Sequence, residues 1–182
     1  MKDLIIAAHP DDEVLGCGGS IAKWSRSGAE VHILIMAEGA TSRDKSRNRL
    51  KRKNEILSLA QSADKACEIL GAKSIKLLNF PDNRMDSVDL LDVIKDIESH
   101  IRKIKPEVIV THHSGDLNID HQVIHKAVIT ASRPQPGHFV KRILSFEVPS
   151  STEWNTHSSS VPFVPNYFED ITDTLKLKIQ AL

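Results

Sequence analysis

Short apolar runs alternate with longer segments of helical character along this chain of 182 residues. Helices are predicted between the runs, near residues 14–26, 46–71, 88–104 and 119–133. The runs are rich in Ile, Leu and Val, as expected for strands covered on both faces: Leu4–Ala8, Val31–Ala37, Ile75–Phe80, Val108–Thr111 and Ile143–Val148. This order predicts an α/β fold, a single three-layer Rossmann-like domain over residues 1–182 with a mainly parallel sheet.

The C-terminal part of the chain gives a different pattern. The stretch from Pro149 to Asn166 is rich in Ser, Thr and Pro, which predicts a long loop. A last helix is predicted from near Asp170 to the end of the chain, and no stop signal follows it.

The balance of charges limits the partners that we expect. Lys and Arg together number 24, as do Asp and Glu, so the formal net charge is zero. We therefore expect no long-range electrostatic attraction to nucleic acid or to an anionic membrane. Cys17 and Cys67 are too few for a disulfide framework, which favours a reducing compartment. The N-terminal apolar run is too short for a signal peptide or a transmembrane span. We therefore expect a cytoplasmic protein without a transmembrane segment.

Polar clusters follow the predicted strands at the points where the strands end. They are His9–Glu13, Ala37–Gly39, Pro81–Arg84 and His112–His121. Ligands of open α/β sheets bind at the carboxyl ends of the strands, so we expect the active site at this edge.

The first cluster predicts a metal site. His9, Asp11, Asp12 and Glu13 place four titratable groups within five residues, and a cation relieves the repulsion among the acids. An imidazole and a carboxylate suit Zn²⁺, and His9 and Asp12 can reach one ion from a strand-to-helix turn. Asp11 would then lie beside the metal, where a base that activates water belongs. The alternative is an acidic helix start, which accounts for the acids but not for His9.

The second cluster offers the third ligand that a catalytic zinc site needs. His121 lies in the first turn of a predicted helix, whose positive end keeps the imidazole neutral. Asp120 is predicted to orient the metal shell or a neighbouring catalytic group. His113 is expected near the mouth of the site, whereas His125 has a plainer role, with its ring bonded to a backbone carbonyl.

Gly16, Gly18 and Gly19 suggest a phosphate-binding loop, but the pattern fails. Ile21 occupies the place of the third glycine of that motif, and the nearby acids would repel a pyrophosphate. We therefore interpret these small residues as close packing between the helix and the sheet.

The segments Ala8–Glu13 and Leu15–Gly19 resemble the opening signature of the LmbE-like deacetylases, the PIG-L superfamily of N-acetylglucosaminyl-phosphatidylinositol de-N-acetylases. A second signature of that family resembles Asp120-His121. The resemblance implies a Rossmann-like fold and one zinc ion bound by His9, Asp12 and His121.

The same resemblance implies catalytic roles. Asp11 matches the general base, while Asn118 stands where many members have a histidine that assists the oxyanion or the leaving group. An amide donates a hydrogen bond but shuttles no proton. Either Asp11 serves as both base and acid, or His113 substitutes for the missing histidine.

The segments Phe80–Arg84, Asp116–His121 and Glu147–Trp154 resemble a bacterial subgroup associated with surface glycans and sugar metabolism. Arg84 is a candidate for binding a phosphate or carboxylate of the substrate, with an ion pair to Asp82 or Asp86 as the alternative. Glu147, Ser151 and Trp154 are predicted to line the substrate pocket. Related chains usually continue further, so a C-terminal portion is expected to be missing.

The sequence thus predicts a zinc-dependent hydrolase that removes acetyl from an N-acetylated sugar, free or linked to a nucleotide or lipid. Other divalent ions suit the same ligands, and a homo-oligomer is compatible with the sequence. Two alternatives remain open: an amidase acting on a thiol conjugate or another non-acetyl amide, and a non-catalytic sugar- or metal-binding module. A dinucleotide-binding oxidoreductase is disfavoured because the glycine fingerprint is absent.

Overall fold

The computed structural model describes residues 1–156 and 161–182, and these form one α/β domain. The sheet has five parallel strands in the order β3-β2-β1-β4-β5: β1 Lys2–Ala7, β2 Glu30–Ala37, β3 Ser74–Phe80, β4 Val108–His112 and β5 Arg142–Phe146. The α-helices are α1 Asp12–Arg26, α2 Lys53–Leu70, α3 Leu90–Ile104, α4 Ile119–Ala131 and α5 Leu175–Ala181. Three-residue 3₁₀ helices cover Met85–Ser87 and Thr152–Trp154. The predicted fold class is confirmed.

Two predicted helix starts were wrong. Helix α2 begins at Lys53 rather than near residue 46, because the preceding basic segment folds as a loop held by ion pairs to Glu38 and Asp44. Helix α5 begins at Leu175 rather than near Asp170. Residues 157–160 of the predicted long loop lie outside the described part of the chain.

The alternation of side chains along the strands produces the three layers. Ile5 and Ile33 face a cluster that α1, α2 and α5 cover, whereas Leu4 and Leu34 face a cluster that α3 and α4 cover. Successive residues of a strand point to opposite faces, so a strand that is apolar throughout needs helices on both sides.

Helix α1 packs unusually close to the rest of the molecule. A Cβ atom on Gly16 would lie 2.2 Å from Cδ2 of Phe146, and one on Gly19 would lie 2.6 Å from Cδ1 of Ile171. The interpretation of these glycines as packing residues is confirmed. In the described part of the chain, no helix combines the length and the apolar character needed to cross a bilayer.

The order of the strands places a crevice between β1 and β4. The chain runs outward from β1 to β3 and then returns to add β4 on the other side of β1. Such a reversal leaves the loops after the two central strands diverging, and ligands of open α/β sheets bind between them.

Candidate metal centre and active site

Three predicted ligands meet at this crevice. His9 and Asp12 follow β1, and His121 lies in the first turn of α4. Oδ2 of Asp12 lies 3.3 Å from Nδ1 of His9 and 3.2 Å from Nε2 of His121. One ligand atom from each residue falls within 4.8 Å of the others, so the three side chains can reach a common ion.

The residues present fit a zinc ion. Nε2 of His121 is buried, and within the described part of the chain its 3.2 Å approach to Oδ2 of Asp12 is an ion-pair contact without the geometry of a hydrogen bond, although a buried polar nitrogen normally forms one. The set offers two imidazole nitrogens and one carboxylate oxygen, and all three residues line one open cavity. Three such ligands with a vacant side are the arrangement of catalytic zinc sites.

The far side of His9 contacts two further acids. Nε2 of His9 lies 3.0 Å from Oδ2 of Asp120 and 3.4 Å from Oδ1 of Asp82. These groups could form a second cation set. However, the Asp120 oxygens accept backbone N–H groups from Asn83 at 2.7 Å and Met85 at 2.9 Å. Asp120 therefore lies where it can orient the ring of His9.

The far side of His121 is held by Asp116, a residue that the sequence reasoning missed. Nδ1 of His121 lies 3.1 Å from Oδ2 of Asp116, which also accepts hydrogen bonds from Thr152 at 2.6 Å and from Ser151 at 3.0 Å. Asp116 lies in the polar cluster that follows β4, but nothing in the sequence distinguished it from its neighbours.

His112 is a second residue that was missed. Its ring is fully buried and stacks on the ring of His121, with centroids 3.8 Å apart. Its Nε2 accepts the backbone N–H of Ala8 at 2.8 Å. Burial lowers the pKa of His112 to about 3, so this ring is neutral and supports the ligand as an uncharged surface.

In the metal-free state the ligand set carries protons. Burial opposes the imidazolium of His9, but hydrogen bonds to Asp12 and Asp120 outweigh it and raise its pKa to about 10. Burial likewise opposes charge on His121, yet Asp116 and Asp12 raise its pKa. Burial raises the pKa of the Asp12 carboxyl, but its contacts with His121 and His9 outweigh burial and hold that pKa well below the usual range.

Asp11 lines the cavity beside the metal set, at the residue preceding α1. Its φ of 130° lies in a region that side-chain-bearing residues rarely adopt. Partial burial of its carboxyl, followed by the charge of Asp12, raises its pKa to about 6. A carboxylate with a raised pKa can exchange a proton near neutral pH.

Two other predicted residues line the same cavity. Asn118 caps α4: its Oδ1 accepts the N–H of Asp120 at 2.9 Å, and its Nδ2 donates to Asn83 at 2.9 Å. Ser151 reaches the cavity while its hydroxyl donates to Asp116.

The structure does not bring the remaining predicted residues to the cavity. Nε2 of His113 contacts the carbonyl of Val161 at 2.8 Å, and Arg84 donates to the carbonyl of Asp44 at 2.7 Å. Neither partner proposed for Arg84 from the sequence is the observed one. Glu147 lines a different depression, and Trp154 is exposed near the loop that carries Ser151.

The cavity has a volume of about 440 Å³, within the range of roughly 300–1,000 Å³ typical of small-molecule sites. Its lining is mostly polar: His9, Asp11, Asp12, Gly39, Ala40, Ser42, Arg43, Glu55, Asp82, Asn83, Asn118, His121, Ser150 and Ser151.

Comparisons with known proteins place the chain in a family of deacetylases. The sequence model of the family described as GlcNAc-PI de-N-acetylase (PIG-L) matches residues 4–132. The uncharacterized deacetylase YaiS of Escherichia coli is 30% identical over 185 residues, covering 98% of this chain and 87% of that protein.

Two further similarities span the whole site. A structure of N,N'-diacetylchitobiose deacetylase from Pyrococcus horikoshii, with its inhibitor, has a TM-score of 0.74 and 26% identity, covering 99% of this chain and 67% of that one. The 4-oxalmesaconate hydratase of Pseudomonas putida is 28% identical over 198 residues, covering 98% of this chain and 70% of that protein. The similar proteins therefore include a hydratase as well as deacetylases.

Proposed function

The chain belongs to the PIG-L family of GlcNAc-PI de-N-acetylases, and from this premise we propose that it removes acetyl from an N-acetylglucosamine-containing sugar by metal-assisted hydrolysis. One observation carries the proposal. His9, Asp12 and His121 converge on a polar cavity that Asp11 also lines. A water molecule and an acetamido group can be accommodated beside one another there.

His9, Asp12 and His121 would hold the metal ion, which we propose to be zinc. When bound, zinc supplies Lewis acidity, which polarises a carbonyl and makes water a stronger acid. Asp120 and Asp116 fix the orientation of the two histidine rings through the nitrogens that face away from Asp12.

Asp11 is the proposed general base. Its carboxylate takes a proton from the water that attacks the acetyl carbon, and the same group can return that proton to the departing amine. Asn118 lines the cavity and stands where the family resemblance leads one to expect a histidine. An amide N–H there can donate to the oxyanion without moving a proton.

Two variants separate the base from the ligands. In Asp11→Asn the cavity keeps its shape but loses the proton acceptor, so we expect bound zinc with a rate lowered at least about a hundredfold. In His121→Ala one of three ligands is lost, so both zinc and rate should disappear. Zinc content is measured by atomic absorption and the rate by acetate release from N-acetylglucosamine derivatives.

Asp64→Asn on the exposed surface of α2 is the matched control and should keep both zinc and rate. A full rate in Asp11→Asn would exclude the base role. Wild-type zinc content in His121→Ala would exclude the ligand set.

The hydratase relative defines the main competing reaction class. An enzyme of that kind adds water to a carbon–carbon double bond, so it releases no acetate. Assaying the same preparation against 4-oxalmesaconate, against N-acetyl sugars and against sugars with longer acyl groups separates hydration, deacetylation and general amide hydrolysis. Deacetylation is expected because the family model and the Escherichia coli relative are both described as deacetylases.

A further inference from the structure

The loop before α2 carries many positive charges, and two acids engage most of them. Asp44 binds Lys51 and Arg52 with its carboxylate and Arg84 with its carbonyl oxygen. Buried Glu38 binds Arg47 through two hydrogen bonds, of 3.0 and 2.7 Å, and contacts Arg49. These side chains are committed to holding the loop over the cavity.

Arg43 is different from these neighbours. It is exposed and lines the same cavity as the metal set. Within the described part of the chain, no hydrogen bond or ion pair engages its guanidinium, and no other Lys or Arg lines this cavity. A planar cation with five donors is thus available at the wall of the site.

The acids of the cavity wall do not neutralise Arg43 by contact. Asp12 is bound to the two ligand histidines, and Glu55 is bound to Arg52 at 2.9 Å. Asp11, the proposed base, also lines the wall, but no ion pair joins it to Arg43 in the described part of the chain. Asp82 accepts the N–H of Ser42 at 3.0 Å and the amide of Asn83 at 2.9 Å. The charge of Arg43 is therefore free to meet a ligand.

The cavity lacks the usual alternative means of holding a sugar. No Phe, Tyr or Trp is among its lining residues in the part of the chain that the structure describes. A pyranose ring cannot stack there, so hydrogen bonds and charge must provide most of the selectivity.

We propose that Arg43 binds an oxyanion, a carboxylate or a phosphate, carried by the group attached to the N-acetylated sugar. The guanidinium fork matches both anions through two parallel hydrogen bonds. This inference rests on the deacetylase function proposed above, and it assigns to Arg43 the role that the sequence suggested for Arg84.

The test compares kcat and KM on a neutral and two acidic substrates. These are the methyl glycoside of N-acetylglucosamine, N-acetylglucosamine 1-phosphate and the N-acetylglucosaminide of glycolic acid. In Arg43→Gln, kcat/KM on the preferred acidic substrate should fall ~10–100-fold more than on the neutral one, mainly through KM. For Arg43→Lys, kcat/KM on that substrate should lie between the values of the wild type and Arg43→Gln. The acidic substrate whose kcat/KM falls more in Arg43→Gln identifies the anion.

Lys45→Gln is the matched control, because Lys45 belongs to the same loop but does not line the cavity. It should behave as the wild type. Equal losses on all three substrates in Arg43→Gln, or no preference of the wild type for an acidic substrate, would overturn the inference.

A binding measurement keeps this inference separate from the proposed reaction. Calorimetric titration with glucosamine 1-phosphate, glucosaminyl glycolate and methyl glucosaminide requires no turnover. If no substrate releases acetate, the deacetylase proposal fails; tighter binding of either acidic amine, lost in Arg43→Gln, would still support Arg43. If acetate is released but neither acidic amine binds tighter than the neutral one, only the assignment of Arg43 fails.

Discussion

His9 and His121 each use both ring nitrogens. One nitrogen faces Asp12 and the cavity, and the other contacts a buried carboxylate, Asp120 or Asp116. A carboxylate behind an imidazole fixes the tautomer and makes the free nitrogen a better metal ligand. The two ligand rings therefore keep their orientation through bonds to carboxylates that are not themselves part of the proposed ligand set.

The variant Asp116→Asn tests whether the carboxylate behind His121 strengthens metal binding. The amide keeps the shape of the side chain but removes the negative charge behind His121, so metal affinity should fall by about 10–100-fold. Competition with a chelating dye gives the dissociation constant, and Asp64→Asn serves as the control. An unchanged dissociation constant in Asp116→Asn would show that Asp116 serves only the loop.

The sequence predicted that His9, Asp12 and His121 would meet at one edge of the sheet, because each lies in a segment that follows a parallel strand. Asp116 and His112 could not be assigned in advance, since their roles depend on contacts with His121 that arise only in the folded chain. His113 illustrates the same limit. It follows His112 directly, yet its ring contacts Val161 instead of the cavity.

At the scale of elements, the strands were predicted well because a short, continuous apolar run is typical of a strand that is covered by helices on both faces of the sheet. The errors fall at the starts of α2 and α5. Residues 46–52 have helical composition, but they form a loop in which Arg47 and Arg52 pair with Glu38 and Asp44. Such contacts between segments override local propensity and are not visible in a pattern read along the chain.

The packing of α1 on β5 gives a prediction at this scale. Gly16→Ala places a methyl group against the ring of Phe146, so we expect a loss of about 1–3 kcal/mol in the free energy of unfolding. Urea denaturation measures it, with Ser20→Ala on the same helix as the control. Phe146→Leu in the Gly16→Ala background makes room and should recover part of the loss. No destabilisation, or no recovery, would contradict the packing interpretation.

At the scale of the molecule, the site joins segments that are far apart along the chain. His9 and Asp12 follow the first strand, Asp82 follows the third, and His121 lies in the first turn of α4. An unfolded chain does not hold these groups together, so an ion that needs all of them binds the folded state more tightly than the unfolded one. Metal binding is therefore linked to global stability.

This linkage predicts a thermal shift that grows with pH. At a fixed zinc concentration that equals 100 times the dissociation constant at neutral pH, zinc should stabilise the wild type by about 2.7 kcal/mol at that pH, or about 5–10 °C in Tm for a domain of this size. The pKa of His9 in the metal-free protein is about 10, so zinc must displace a proton at neutral pH. Between about pH 6 and pH 8, the affinity of the protein for zinc should rise about tenfold per pH unit for each displaced proton.

Differential scanning fluorimetry measures the shift in Tm. At each pH it compares the protein with zinc and with chelator, so changes in the metal-free fold cancel. His121→Ala should show little shift at any pH, and a wild-type shift that shrinks as pH rises would contradict competition between zinc and the proton on His9.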